Sequence, residues 1–283
     1  MNGFGLSTEQ INFVRTFGYL RLPGVLAGSI AEIDSEFERV IRLHGGDEYA
    51  GEHRFTVSPG INGSDLLCSA ILDSERLDGA LVSLLGSDYQ YWNSELSLCN
   101  GDTAWHSDSP WPKERRTPGW YRVLIYLDEL REANGALRVI PGTHRADDEF
   151  ASEIHRGIID ASETVPARPV DTWGVVAREL PAVTLSSSPG DVIFLSYLVA
   201  HASFGGGARR RLLDVTYFPH LAGDALEQLR TANRDRRHTR QRVFGHRAPL
   251  LRTASPRRRL HLEQLLEHTP DDGPSLASIL GLL

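Results

Sequence analysis

Apolar positions recur every three or four residues at the start of the chain, then every second residue from position 89 onward. The first segment opens with Ser7 or Thr8 in a capping position, and Ile11, Phe13, Val14 and Phe17 line one side of the helix that follows. Gly18 ends it. Tyr19–Leu22 reads as a short strand closed by a Pro23-Gly24 turn. A second amphipathic helix runs over 27–43, with Ile30, Ile33, Phe37 and Ile41 at helical spacing. A third helical segment covers 64–86, with Gly86 as its C-terminal cap. Between them, 44–63 is rich in glycine, histidine and charge, and reads as a long loop of the kind that often carries function.

The period-two region predicts strands at 89–98, 120–127, 136–140, 183–185, 192–195 and 209–218. Residues 109–119 hold Pro110, Pro112, Pro118 and Gly119 and cannot be regular. Residues 145–180 are mixed and read as an insertion over one mouth of the core. Helical spacing returns over 224–268, where Arg230, Arg234, Arg236, Arg237, Arg240, Arg242 and the run 257–259 read as a solvated face; a Leu/Ile tail follows at 276–283. Helices, then strands, then helices predict a mainly β sandwich or jelly roll with helical buttresses. The expected organisation is a single domain over 1–283: a helical N-terminal buttress spanning 1–88, a core 89–218 carrying the insertion 145–180, and a helical extension 219–283.

Composition narrows the function classes. A chain of 283 residues with 41% hydrophobic content can bury a large core. A net charge of −7 and a pI of 5.9 argue against a nucleic-acid partner. No apolar run approaches the roughly 18 residues of a membrane span, and the first residues lack the basic flank and apolar core of a signal peptide, so a cytoplasmic protein is expected. Cys68 and Cys99 have no metal-type spacing and read as free thiols, with a disulfide between them as the alternative.

The chemistry centres on Thr103-Ala104-Trp105-His106-Ser107-Asp108. A histidine and a carboxylate two residues apart on a strand point the same way. Such a pair makes two of the three protein ligands of a mononuclear non-haem iron(II) site, and a second histidine supplies the third. His201, just past an apolar strand and before a glycine loop, is the candidate for it. Taken alone, the pair fits a surface turn as well, and His201 fits a core or loop histidine. His44 and His53 lie in the early loop, His155 in the insertion, and His144 follows a Pro-Gly turn that suits a structural hydrogen bond. Downstream, Arg209-Arg210-Arg211 opens a strand: Arg209 and Arg211 share a face with Leu213, Val215 and Tyr217, and Arg210 faces the other way. The run is either a solvated cluster or the source of a cation for a dicarboxylate.

Together, His106-Ser107-Asp108, the string from Asn134-Gly135-Ala136-Leu137 to Pro141-Gly142-Thr143-His144, Pro189-Gly190-Asp191, His201, Arg211 and the opening Phe17-Gly18-Tyr19-Leu20 resemble the phytanoyl-CoA dioxygenase family over roughly residues 8–218. That resemblance implies a double-stranded β-helix and an enzyme dependent on Fe(II), 2-oxoglutarate and O2, with His106, Asp108 and His201 as metal ligands. It further implies an arginine for the 2-oxoglutarate carboxylate, expected as Arg211 with Arg209 as fallback. Asn93 and Ser97, which share a strand face, are expected to line the cosubstrate or substrate pocket, with Thr103 and Arg122 as weaker candidates. Because Asp108 is retained where related halogenases carry a small residue, the expected outcome is hydroxylation with release of succinate and CO2; desaturation, epimerisation and cyclisation use the same chemistry. A non-catalytic metal-binding jelly roll, or a metal-dependent isomerase or hydrolase, is the competing class. The expected substrate is a small organic metabolite such as a natural-product intermediate, with no nucleic acid and no membrane involved, on a monomer or homodimer. Trp92, Trp111, Trp120 and Trp173 are expected near the mouth, and Lys113, Arg115 and Arg116 would suit an anionic group.

Overall fold

In the computed structural model, residues 4–51, 54–108, 119–145, 147–155, 177–236 and 247–268 are described. Helix α1 (Thr8–Phe17) starts at a reciprocal cap: the Ser7 hydroxyl accepts the Gln10 N–H, and the Gln10 side chain accepts the Ser7 N–H. Strand β1 (Tyr19–Leu22) and helix α2 (Ile30–Leu43) follow as the pattern predicts. The segment 64–86 is two helices rather than one, α3 (Asp65–Leu72) and α4 (Glu75–Leu85). The break falls at Asp73-Ser74, where the Ser74 hydroxyl turns to accept the Leu77 N–H and starts a new helix. The long early loop holds a strand of its own, β2 (Phe55–Val57).

The core strands are β3 (Gln90–Cys99), β4 (Thr103–His106), β5 (Tyr121–Tyr126), β6 (Leu137–Val139), β7 (Val183–Leu185), β8 (Val192–Ser196), β9 (His201–Ser203) and β10 (Arg210–Phe218). They form two antiparallel sheets, a six-stranded one in the order β1-β8-β5-β10-β3-β2 and a four-stranded one in the order β4-β9-β6-β7. Register decides what each face of the large sheet carries. Leu213 and Val215 of β10 stand beside Leu96 of β3 and Val123 and Ile125 of β5. This face packs against Ile33, Phe37, Ile41, Leu67 and Ile71 of the helices in one apolar cluster. Burying each such side chain stabilises the fold by about 1.5–3 kcal/mol. The opposite face, toward the small sheet, carries Arg210, Asp214 and Thr216 of β10 with Cys99, Glu95 and Asn93 of β3 and Arg122 of β5. This face mixes those polar side chains with Leu124, Tyr126 and Leu212, so the sheet is buried on both faces and gives the chemistry a dry wall.

Trp92 and Trp120 do not stand at a mouth. Both are almost fully buried, packed with Phe218 in the helix-side core. Trp111, Lys113, Arg115, Arg116, Trp173, most of 145–180 and the tail 276–283 lie outside the described residues. No described helix is long and apolar enough to cross a membrane.

The C-terminal arginines are not simply a solvated face. Arg258, on the short helix Pro256–His261, is 1% exposed and donates through Nε to Asp73 Oδ1 at 3.0 Å, at the break between α3 and α4. Beside it, His261 stacks on Tyr89 at 3.7 Å. Removing the carboxylate leaves a buried guanidinium without its partner. Asp73→Ala is therefore expected to lower stability by about 2–3 kcal/mol, discounted for the partial exposure of Asp73. The Asp73→Ala/Arg258→Met double variant should recover most of it. Urea denaturation of the three proteins checks this, and equal losses in single and double variants would refute it.

Candidate metal centre

Strands β4 and β9 pair so that His106 and His201 stand directly opposite one another. Opposed residues in an antiparallel pair share a face, and the two rings lie 4.1 Å apart. Trp105, between Ala104 and His106, points the other way into a small apolar cluster with Ile140 and Ile154. Asp108 lies just past the end of β4, and its side chain returns to the same side as the histidines. The ligand atoms of His106, Asp108 and His201 all fall within 4.8 Å of one another.

The protonation pattern suits a cation. His106 Nδ1 faces the Ala104 carbonyl and His201 Nδ1 the Val199 carbonyl, each at 2.9 Å. A carbonyl only accepts, so each Nδ1 donates, and in a neutral ring each Nε2 then keeps its lone pair. Those lone pairs face Asp108, with His106 Nε2 at 3.8 Å from Oδ1 and His201 Nε2 at 3.6 Å from Oδ2. Asp108 Oδ2 is buried without a hydrogen-bond partner. Two imidazole lone pairs and a carboxylate oxygen aimed at one point, with no proton among them, repel unless a cation sits there. Two nitrogens and one oxygen with open positions opposite is the donor set of a non-haem iron(II) site.

Burial works to raise the Asp108 carboxyl, but Arg122 and then the two histidines outweigh it and hold it at about 2. Burial, then His106, push the His201 imidazole down to about 4, against the pull of Asp108. The unfolded chain takes up the His201 proton first, as pH falls through the ordinary histidine value. The stabilisation from keeping this ring neutral is thus full at pH 7 and lost as pH falls toward 4. Metal-free protein is expected to lose on the order of 2 kcal/mol between those values, read from urea midpoints. His201→Gln should flatten that stretch of the profile, and an unchanged profile would count against it.

His106 and His201 of the triad border a cleft lined also by Arg54, Cys99, Thr103, Arg122, Tyr126, Ser203 and Arg210. Of the expected pocket residues, Thr103 is in place: an irregularity of register between Thr103 and His106 lets it pair with Ser203. Ser97 is fully buried behind Arg54, accepting its Nε at 2.8 Å, and does not line the cleft. Asn93 lies on the same face farther along, with Nδ2 3.4 Å from the Ser58 hydroxyl.

Arg211 is not in the cleft. Its guanidinium turns to the helix side and meets Asp128 at 2.8 Å, Asp34 at 2.6 Å and Glu38 at 3.0 Å, tying β10 to α2. Arg209, in the left-handed region at φ 58, donates to the Gly46 carbonyl. The cleft holds Arg210, 7% exposed. It donates to the carbonyls of Gly135 and Gly101 at 2.6 and 2.7 Å and to the Ser203 hydroxyl at 2.5 Å. Its Nε has no partner, and among the described residues no carboxylate pairs with it. A Cβ at Gly135 or Gly206 would overlap the guanidinium, so glycine at both positions makes its slot. Sequence reasoning also missed Arg54, which pairing of β2 with β3 brings in from the early loop. Cys68 and Cys99 are free thiols.

A family profile described as phytanoyl-CoA dioxygenase (PhyH) matches residues 14–212. Among solved structures, the chain is similar to the non-haem α-ketoglutarate-dependent carbocyclase SnoK from nogalamycin biosynthesis, with 21% identity over 76% of this chain and 84% of that one and a TM-score of 0.57. It is also similar to HygX from Streptomyces hygroscopicus with nickel and 2-oxoglutarate bound, at 18% identity, 77% and 88% coverage and a TM-score of 0.57. A third is EctD from S. alaskensis in its apoform, at 19% identity, 77% and 79% coverage and a TM-score of 0.53. At these identities the structural likeness is one of fold. No curated protein matches the sequence significantly.

Proposed function

This chain belongs to the phytanoyl-CoA dioxygenase family, and we infer from that membership and from the metal centre that it is an Fe(II)- and 2-oxoglutarate-dependent dioxygenase that hydroxylates a small organic molecule. The observation that carries the reading is Arg210, a buried cation that among the described residues has no carboxylate, in the cleft that His106 and His201 of the metal cluster line. A buried charge is costly unless it is paired, so the cleft calls for an anion as well as a metal. A dicarboxylate meets both. A metal-storage or sensor protein has no use for the second charge.

His106, Asp108 and His201 would hold iron(II), and Arg210 the distal carboxylate of 2-oxoglutarate through its unpartnered Nε. Iron so bound supplies the redox chemistry by which O2 converts 2-oxoglutarate to succinate and CO2 and oxidises the substrate. The residues do the rest. The backbone carbonyls of Ala104 and Val199 fix both imidazole tautomers. Asp108 stays anionic and occupies a ligand position that a halide would need. The largely apolar helix-side face of the large sheet keeps water from reaching the site from behind. Ring closure is the second outcome, because a carbocyclase stands among the similar folds.

Purified protein supplied with iron(II), ascorbate and 2-oxoglutarate in air is expected to take up O2 and form succinate slowly, uncoupled from substrate, above a metal-free control. Iron-loaded protein that consumes neither O2 nor 2-oxoglutarate would defeat the assignment, and turnover of a substrate without O2 uptake would favour an isomerase or hydrolase.

A further inference from the structure

Arg122 on β5 stands opposite Thr216, on the face turned toward the metal centre. Its three guanidinium nitrogens meet three carboxylates from three different segments. Nη1 donates to Asp108 Oδ1 at 3.1 Å, Nε faces Asp214 Oδ1 at 3.4 Å, and Nη2 lies 3.8 Å from Glu95 Oε2. The Arg122 side chain is 15% exposed, Asp108 9% and Asp214 1%. Arg54 braces the same acids from the other side, with Nη2 3.2 Å from both Glu95 Oε2 and Asp214 Oδ2. The Tyr197 ring lies 5.8 Å from the Arg122 guanidinium. The Asp108 contact is a hydrogen bond, and the Asp214 and Glu95 contacts are ion pairs that hold the guanidinium toward it.

Among the described residues, Asp108 has few other tethers. It lies two residues past the end of β4, outside the ladder that orients His106. Its Oδ1 is engaged by Arg122, and its Oδ2 has no partner and faces His201. We propose that Arg122 is a positioning residue: it fixes the Asp108 carboxylate so that a single oxygen is presented to the metal, and Asp214, Glu95 and Arg54 fix Arg122 in turn. This rests on the reading of His106, Asp108 and His201 as metal ligands. A planar guanidinium can address three acids at once, whereas a lysine ammonium is a point charge on a flexible stem. The role therefore belongs to arginine and not to positive charge alone.

Cobalt(II) titrated anaerobically into the metal-free wild type, Arg122→Lys, Arg122→Met and Asp214→Asn tests it, read by dissociation constant and by the cobalt absorption bands, which report the ligand geometry. Melting of each metal-free protein separates folding from binding. Arg122→Met is expected to bind about 10–100-fold more weakly, the usual loss when a ligand's outer hydrogen-bond partner is removed. Arg122→Lys should show a similar loss with altered bands, and Asp214→Asn a smaller change in the same direction. Should Arg122→Met fail to fold, Arg122→Lys, which keeps the charge, decides. A folded Arg122→Lys with wild-type affinity and bands overturns the proposal alone. A wild type that binds no cobalt overturns the ligand reading, and the proposal with it.

Discussion

Arg210→Met should lose 2-oxoglutarate binding at concentrations that saturate the wild type, while iron(II) still binds. Arg210 is the one cation of the cleft whose Nε is unpartnered and which, among the described residues, has no carboxylate of its own. Severing a buried, hydrogen-bonded charge pair costs about 2–5 kcal/mol, which corresponds to roughly 30-fold to several thousand-fold in affinity. Methionine keeps most of the side-chain volume, so packing beside Gly135 and Gly206 is least disturbed. Anaerobic titration of iron-loaded protein, followed by the charge-transfer absorption of the iron–keto acid complex, measures the loss directly. Arg211→Met is the matched control. It should titrate like the wild type yet melt earlier, because it cuts the ties to Asp34, Glu38 and Asp128. Loss of cosubstrate in Arg211→Met with normal binding in Arg210→Met would reverse the assignment of the two arginines.

The second large effect is expected at the ligands. His201→Ala and His106→Ala should each bind iron more weakly by well over the roughly 10–100-fold that loss of an outer partner costs, and form no succinate. Four other described histidines are engaged elsewhere. His44 is held by the Val40 carbonyl, His144 by Arg15, His155 by Thr143, and His261 lies stacked on Tyr89. Metal content after anaerobic dialysis gives the readout. Full retention of iron by both variants would remove the basis for the triad.

The metal cluster is largely legible in the sequence, because His106 and Asp108 are close along the chain and His201 has a recognisable setting. The arginine is not. Alternation along β10 correctly separates Arg210 from Arg211, but it does not say which face looks inward when both are buried. Leu213, Val215 and Tyr217, which share the face of Arg211, meet the helices. The informative signal is the polar parity: Asp214 and Thr216 share the side of Arg210, and polar side chains on a doubly buried strand collect where the chemistry is. Arg54 has no such signal. It arrives through the pairing of β2 with β3, a contact between segments about 40 residues apart that no local pattern encodes. The Asp73–Arg258 pair at the α3–α4 break is equally hidden, since the two residues lie 185 positions apart along the chain.

Arg210 is pinned by three oxygens and seated between two glycines. A cation on a loose side chain could follow an acid of any length, but this one has no reach left. The span from its Nε to the point where His106, Asp108 and His201 converge is therefore a fixed gauge. On the proposed reading, a keto diacid one methylene shorter or longer would have to surrender its hold at one end, and the cleft would select its cosubstrate by measuring it.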